Sequence, residues 1–310
     1  MICSQNDVKF YEDFYLTNFN TLKIKALAKY FYIPDNYGEM VSLFKKFKNK
    51  TPIVLGNGSN ILFSSMKIEN PIIYSGNMKS CVFLSDNAEI ECGTKTQTLS
   101  KAAYKKGLSG FEFLIGIPAA IGGTIYMNAG AHGQTISDCL VSCKVYDYKN
   151  NKTLTLKKKD MNFSYRHSIL MEKPYILLSA KFKLNKKPKE DIKAKMDENL
   201  FFRKSRQPNL ALPNAGSVFK NPLNTEFSAG ALIDKCGFRG FKFNRCEVYS
   251  NHCNFIINSN NANSIDYIDA MFEIYSKVKE KFGIELSTEI IYIGKMTKGE
   301  EEKWEMMNKK

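Results

Sequence analysis

Between Phe113 and Ser137 the chain runs without a single Asp, Glu, Lys or Arg, and five glycines and one proline fall inside that stretch. So much glycine and proline excludes a membrane helix. It also lets the backbone pack very closely, either against itself or against a flat or phosphorylated ligand. A tight turn region without a ligand and a ligand-cradling loop both fit this composition. A shorter tract, Gly56-Asn57-Gly58-Ser59-Asn60, lies between the apolar runs 53–55 and 61–63, which read as strands. A P-loop would need Gly-Lys-Ser/Thr at a helix start, and a dinucleotide-binding turn would need a helix after it. Neither is present. What remains is a tight turn whose amides form an anion-binding nest, with side-chain donors at Ser59 and Asn60, or a plain structural hairpin.

Length and composition set the frame. At 310 residues the chain has room for about two domains. With 44% apolar and 25% charged residues it reads as a folded protein. The formal charge of +14 comes from 45 basic and 31 acidic residues. The lysines are dispersed, and the abundance of Lys, Asn, Ile, Phe and Tyr is what A/T-rich codons produce. The runs Lys157-Lys158-Lys159 and Lys186-Lys187 are short and isolated, so no nucleic-acid partner is expected. The eight cysteines (Cys3, Cys81, Cys92, Cys139, Cys143, Cys236, Cys246, Cys253) contain no C-x-x-C pair, and there are three histidines. We expect no metal site and reduced, structural thiols. Met1 to Asp7 lacks the basic and apolar segments of a signal peptide, so a cytoplasmic location without a membrane partner is expected.

The periodicity predicts a helix over 39–50 with Met40, Leu43, Phe44 and Phe47 on one face, and a second over 98–106 closed by Gly107. Strands are predicted at 144–148, 152–156 and 175–184 around a turn at Asn150-Asn151. A charged boundary at 185–191 precedes a helix carrying Ile192, Met196 and Leu200, which stops before Pro208. A long helix is predicted from Ser264 as N-cap, with a stripe of Ile265, Ile268, Phe272, Tyr275 and Phe282, up to Gly283. A final strand is expected over 287–293, and 295–310 reads as a polar, frayed tail. Strands and helices mix without regular alternation, which favours an α+β fold.

Taken together, several motifs carry a family resemblance. They are G-N-G-S-N, then Gly107 to Ala131 as G-x-x-G-F-E-F-x-x-G-I-P-A-A-I-G-G-T-I-x-M-N-A-G-A, then Tyr165-Arg166-His167-Ser168. Asn214 to Pro222 (N-A-G-S-V-F-K-N-P), Ala229-Gly230-x-Leu232-Ile233, His252-x-Asn254-Phe255-Ile256-Ile257-Asn258 and Gly283-x-x-Leu286-x-x-Glu289 follow in order. From about residue 51 to 294 this pattern resembles the UDP-N-acetylenolpyruvoylglucosamine reductases, in the shorter form without a substrate-domain insertion. The resemblance implies a two-lobed FAD-binding domain of the vanillyl-alcohol-oxidase (PCMH) type over 1–200, with lobes of about 1–80 and 81–200. It implies an α+β substrate-binding domain over 201–296 and leaves 297–310 as the tail. It also implies that NADPH reduces non-covalent FAD, which then reduces an enolpyruvyl ether on a UDP-sugar to UDP-N-acetylmuramate in peptidoglycan precursor synthesis. A monomer is expected.

The resemblance places the cofactor on Gly56, Asn57, Gly58, Ser59, Asn60, Gly116, Ile117, Pro118, Gly122, Gly123, Asn128 and Gly130, and the chemistry on Arg166, Ser217 and Glu289. Hydride addition leaves negative charge beside the substrate carboxylate. Arg166 is a permanent, fork-shaped cation suited to it. Ser217 matches the family's proton donor. Glu289 suits a site next to an anion when protonated or hydrogen-bonded. Lys220 and Asn221 are candidates for phosphate or nucleotide contacts, and His167 for positioning Arg166. His252 is read equally as a core histidine or a substrate contact. The chain departs from the family's pattern at Lys25-Ala26 and Asn244-Arg245, each in place of Gly-Gly, at Tyr249 in place of Ser, and at His132 in place of a packing Tyr. Related oxidases attach FAD through histidine, which makes His132 the residue to watch. A FAD oxidase on a related scaffold is the competing enzyme reading, and a basic nucleic-acid-binding protein the non-enzymatic one.

Overall fold

The computed structural model describes residues 8–47, 50–223 and 225–309. Cys3 and the whole segment Met1 to Asp7 lie outside the described residues, as does the end of the first predicted helix. By contact density the chain divides into two compact units that interleave in sequence. The first contains 1–12, 30–57 and 70–203; the second contains 13–29, 58–69 and 204–310.

The first unit is built on a five-stranded antiparallel sheet in the order 152–157, 140–147, 175–183, 87–91, 81–84. Its long central strands, Leu140–Asp147 and Tyr175–Lys183, bury Cys143, Val145, Leu178, Ala180 and Phe182. A smaller parallel set pairs Ile53–Leu55 with Ile72–Tyr74, and Ile72 with Phe31. This unit carries α1 (Tyr37–Lys46), α2 (Thr96–Lys105), α3 (Ile121–Tyr126) and most of α4 (Lys189–Arg206), whose last three residues fall in the second unit. On α1 and α2 the buried side chains recur at helical spacing, Met40-Leu43-Phe44 and Leu99-Ser100-Ala103. Gly107 closes the end of α2 with φ +68°, a conformation that costs glycine little. On α4 the buried stripe is Ile192, Met196 and Asn199, with the first two packed on Ile115.

The second unit carries α5 (Ala229–Lys235), α6 (Ser264–Phe282) and α7 (Lys298–Met307). Two strand pairs accompany them, 246–248 antiparallel to 256–258 and 61–63 parallel to 291–293. The expected start and stripe of α6 are corrected. Its N-cap is Asn263, whose side chain accepts from Asp266 N while the Asp266 carboxylate accepts from Asn263 N. The buried face is Tyr267, Ile268, Met271, Ile274, Tyr275 and Val278, while Ile265 is 42% exposed. The Ser264 hydroxyl instead donates to Glu300 Oε1 at 2.5 Å.

That bond marks the largest departure from expectation. Residues 298–307, read as a frayed tail, form a docked helix. Thr297 and Glu300 make a reciprocal capping box, and the Glu300 carboxylate, 3% exposed, is held by Ser264, Thr297 and Tyr292. Lys303 pairs with Asp269 on α6, Met307 is buried, and Asn308 Oδ1 accepts from Thr288 N and Oγ1. The final strand is shorter than expected, Ile291–Ile293, with Thr288 bridging separately to Phe219.

The described cysteines are free. Burial pushes the Cys92 and Cys143 thiols up to about 12, so they remain protonated and unreactive. No described helix is long and apolar enough to cross a membrane, and no group of metal-ligating side chains gathers among the described residues.

Candidate active site

In the second unit, two of the three expected catalytic residues come together through the backbone. Residues 214–222 form a strip between the turn at 253–255 and the segment 287–289. Val218 O accepts from Glu289 N at 2.8 Å, and Lys220 N donates to Ser287 O at 2.9 Å. The first of these bonds sets Glu289 against Val218, the residue that follows Ser217. Gly216 makes the bend before it at φ +78°, and its amide donates to Asn214 Oδ1 at 3.0 Å. Glu289 is half-buried and precedes the last strand, not within it as the sequence suggests.

The other side of this strip is clasped by Asn254. Its amide nitrogen donates to Phe219 O at 2.8 Å, its Oδ1 accepts from Phe219 N at 3.0 Å, and its main-chain carbonyl accepts from Val218 N at 2.9 Å. Asn221 Oδ1 accepts from Ala229 N, the first amide of α5, so this atom anchors a helix. Lys220 is half-buried in the same strip. His252 packs inward: its Nδ1 accepts from Asn254 N at 3.4 Å, its ring stands edge-on to Phe255, and it lies against Gly230. Burial, with Arg206 as a minor contributor, lowers its pKa and favours the neutral ring.

The end of the first glycine tract also belongs to this unit. Asn60 Nδ2 donates to Glu289 O at 3.0 Å, so this donor ties the glycine turn to the segment before the last strand. Gly58 has φ +63°, and a Cβ there would sit 2.2 Å from Phe19 O; its glycine is required by its own chain. Ser59, half-buried, has its carbonyl 3.6 Å from where a Gly216 Cβ would be.

In the first unit, Asn57 Nδ2 donates to Pro118 O at 2.6 Å and ties Gly56-Asn57 to the second tract. Ile117 N bonds Leu114 O, and Gly116 is buried under the side chain of Arg203 on α4. The amides of Ile121 and Gly122 donate to the carbonyls of Thr94 and Cys92, so they serve the fold. Gly130 closes a hairpin with Gln134-Thr135. Gly123 has open space, with nothing within 4 Å of a Cβ placed there. Asn128, in the left-handed region at φ +41°, donates from Nδ2 to Ser164 O. Its Oδ1 is buried without a hydrogen-bond partner among the described residues. A buried acceptor left so is costly. FAD carries hydroxyl and N–H donors that would complete it, so the residues present fit that cofactor.

Arg166 sits at the tip of a tight turn, also at φ +55°, with Ser164 and His167 paired across it. Asn128 binds the Ser164 carbonyl and Ser168 Oγ donates to Tyr126 O, so the turn is fixed to the end of the glycine tract. The guanidinium lies over the Tyr165 ring at 5.1 Å. His167 bonds Asn162 O through Nδ1 and Glu172 through Nε2, anchoring the turn's return limb. His132 is exposed at the tip of the 130–135 hairpin at φ +55°, edge-on to Phe202. Two contributors were not singled out from sequence. Asn254 stands inside the motif His252-x-Asn254-Phe255 with no signal of its own. Arg203, whose pKa is pulled down by burial, had its position before the Gln207-Pro208 stop as its only signal.

Comparison with known proteins identifies the family. Residues 28–157 match the family model described as FAD binding domain, and residues 207–293 match UDP-N-acetylenolpyruvoylglucosamine reductase, C-terminal domain. A flavin-binding region joined to a C-terminal α+β domain defines an FAD-dependent oxidoreductase. The chain is 36% identical to UDP-N-acetylenolpyruvoylglucosamine reductase of Prochlorococcus marinus, covering 93% of this chain and 98% of that one. It is 37% identical to the enzyme of that name from Lactococcus lactis, covering 93% and 95%. The crystal structure of UDP-N-acetylenolpyruvylglucosamine reductase from Thermus caldophilus superposes with a TM-score of 0.77 at 28% identity, covering 92% of this chain and 98% of that chain. The chain belongs to the UDP-N-acetylenolpyruvoylglucosamine reductase family.

Proposed function

We propose that the chain catalyses the NADPH-dependent, FAD-mediated reduction of UDP-N-acetyl-enolpyruvoylglucosamine to UDP-N-acetylmuramate in peptidoglycan precursor synthesis. The observation that supports this reading is the backbone bond from Glu289 N to Val218 O, which joins the segment of Glu289 to the one that carries Ser217. Non-covalent FAD, when bound, supplies the hydride relay between NADPH and the enolpyruvyl double bond. Hydride addition at one carbon requires a proton at its neighbour, and we assign that proton to Ser217 Oγ. A hydroxyl is a weak acid, but the carbanion-like enolate is a strong base. Arg166 pairs with the substrate carboxylate and stabilises the charge that develops there. Glu289 serves in its protonated form, as a hydrogen-bond donor to the same anion.

We assign the cofactor to the tract from Gly116 to Gly130, with Asn128 as the buried acceptor, and to residues 56–60. Lys220 remains the candidate for the substrate's phosphates, and Asn221 and His252 support the walls around it. The 1–200 and 201–296 division is our proposal for the flavin and substrate domains. A monomeric cytoplasmic enzyme is the form we propose. The test is anaerobic. Purified protein should be yellow, release FAD on denaturation, be bleached by NADPH, and recover its colour on addition of the enolpyruvyl UDP-sugar with stoichiometric UDP-N-acetylmuramate detected by mass spectrometry. Bleaching without product would refute the assignment.

A further inference from the structure

We propose that Asn254 is a positioning residue for proton delivery, setting the place of the Ser217 hydroxyl through the backbone of Val218 and Phe219. This deepens the function proposed above and rests on Ser217 being the proton donor. The side-chain amide of Asn254 substitutes for a neighbouring strand. It both donates to and accepts from Phe219, at 2.8 and 3.0 Å, as an antiparallel partner would. Its own carbonyl takes the Val218 amide at 2.9 Å. Three hydrogen bonds from one residue thus land on the two positions that directly follow Ser217.

Asn254 is 3% exposed and Phe219 is 1% exposed, so water cannot replace these bonds if the amide is removed. The opposite edge of the strip is fixed to Ser287 and Glu289. Upstream, Asn214 fixes the Gly216 amide. Ser217 is therefore held between two pinned ends, and Asn254 is the pin nearest to it on the side away from Glu289. Asparagine is the side chain this geometry demands. Asp keeps the acceptor for Phe219 N but turns an oxygen towards the Phe219 carbonyl. Gln is one methylene too long. Ala leaves both Phe219 groups unpaired. His252 Nδ1 in turn accepts from the main-chain N of Asn254, which ties down the backbone of the clasp.

The experiment compares wild type, Asn254→Asp, Asn254→Ala, Ser217→Ala and the Ser217→Ala/Asn254→Ala double variant as FAD-loaded full chains. Four quantities are read: the rate of bleaching by NADPH, the rate of colour recovery with the enolpyruvyl UDP-sugar, the dissociation constant of that UDP-sugar, and thermal stability. A misplaced reacting group costs up to ~10²-fold. Asn254→Ala is expected to slow recovery by about that factor, and Asn254→Asp by about tenfold. NADPH bleaching and UDP-sugar affinity should stay within about threefold of wild type. Adding Asn254→Ala to Ser217→Ala should cost nothing further, because the group being positioned is gone. Should Asn254→Ala not fold, Asn254→Asp decides the question. Wild-type recovery in the Asn254 variants, with Ser217→Ala still damaging, overturns the proposal and leaves the proton-donor reading intact. Equal loss in both half-reactions, or lost UDP-sugar affinity, reduces Asn254 to structural support and also overturns it. Wild-type recovery in Ser217→Ala itself would remove the proton-donor reading on which the proposal stands.

Discussion

The glycine tract at 116–130 and the strip at 214–222 solve opposite problems. In the strip, the backbone is clasped from both sides by amide side chains and neighbouring segments: Asn214, Asn254, Ser287 and Glu289. In the tract, the amides of Ile121 and Gly122 close on adjacent turns, while Asn128 keeps a buried acceptor without a partner. Among the described residues, all the buried side-chain polar atoms left unpaired (on Ser100, Asn128 and Asn199) lie in the first unit. A region completed by a ligand tolerates an open valence. The region we propose to hold the proton donor shows none among the described residues.

The largest effect should come from the strip side. Glu289→Ala removes the group we propose as hydrogen-bond donor to the developing anion. It should lower the rate of product formation from the NADPH-bleached enzyme by ~10²–10⁴-fold, with NADPH bleaching little changed. Rapid-mixing absorbance separates the two phases. Equal loss in both would erase the functional contrast between the two regions.

Removing α7 by truncation after Met296 should destabilise the second unit by about 3–5 kcal/mol. It deletes the buried Glu300 network, the Lys303–Asp269 pair and the Asn308 contact to Thr288, next to Glu289. Hydrogen exchange should show protection lost at 214–222 and 287–289 before 116–130. Uniform loss would mean that the two regions do not differ in what supports them.

Asn199 sharpens the meaning of the open valences. It is 1% exposed on the buried stripe of α4, and neither amide atom has a partner among the described residues. Asn199→Leu should stabilise the protein by ~1–3 kcal/mol without weakening FAD binding. Urea denaturation and FAD titration check this. Weakened FAD binding would assign Asn199 to the ligand-completed class with Asn128.

The smallest effect is in pH. Burial lowers the folded-state pKa of His252 below its ordinary 6.5. The unfolded chain then binds more protons just below that value, so the stability from neutral His252 is present above pH 6.5 and is lost as pH falls through the folded pKa. His252→Gln should flatten this part of the stability curve in urea titrations between about pH 7 and 5.

Much of this was legible in the sequence. The helices around Leu43 and Leu99, the strands at 144–148, 152–156 and 175–184 and the Gly107 stop follow local periodicity and punctuation, although the first of these strands begins earlier, at Leu140. The site motifs were legible because glycines, Arg166 and Ser217 leave a recognisable order. The docked tail was missed although Thr297-x-x-Glu300 is a capping-box signature, because the helix is mostly charged and its anchoring partners, Ser264 and Thr288, are distant in sequence. The α6 cap shifted by one residue because Asn263 and Ser264 both suit the role, and only the fold shows that the serine hydroxyl is needed by Glu300. The roles of Asn60 and Asn254 were hidden for the same reason: each side chain closes a hydrogen bond to a segment far along the chain.

The central claim is that the Ser217 hydroxyl delivers the proton, and single-turnover kinetics of Ser217→Ala test it most directly. Anaerobic bleaching by NADPH should proceed near the wild-type rate, because that half-reaction needs no proton at a substrate carbon. Recovery with the enolpyruvyl UDP-sugar should fall by ~10²–10⁴-fold or more, and Ser217→Cys should regain part of it, since a thiol also carries a transferable proton. Recovery of Ser217→Ala at the wild-type rate would contradict the account.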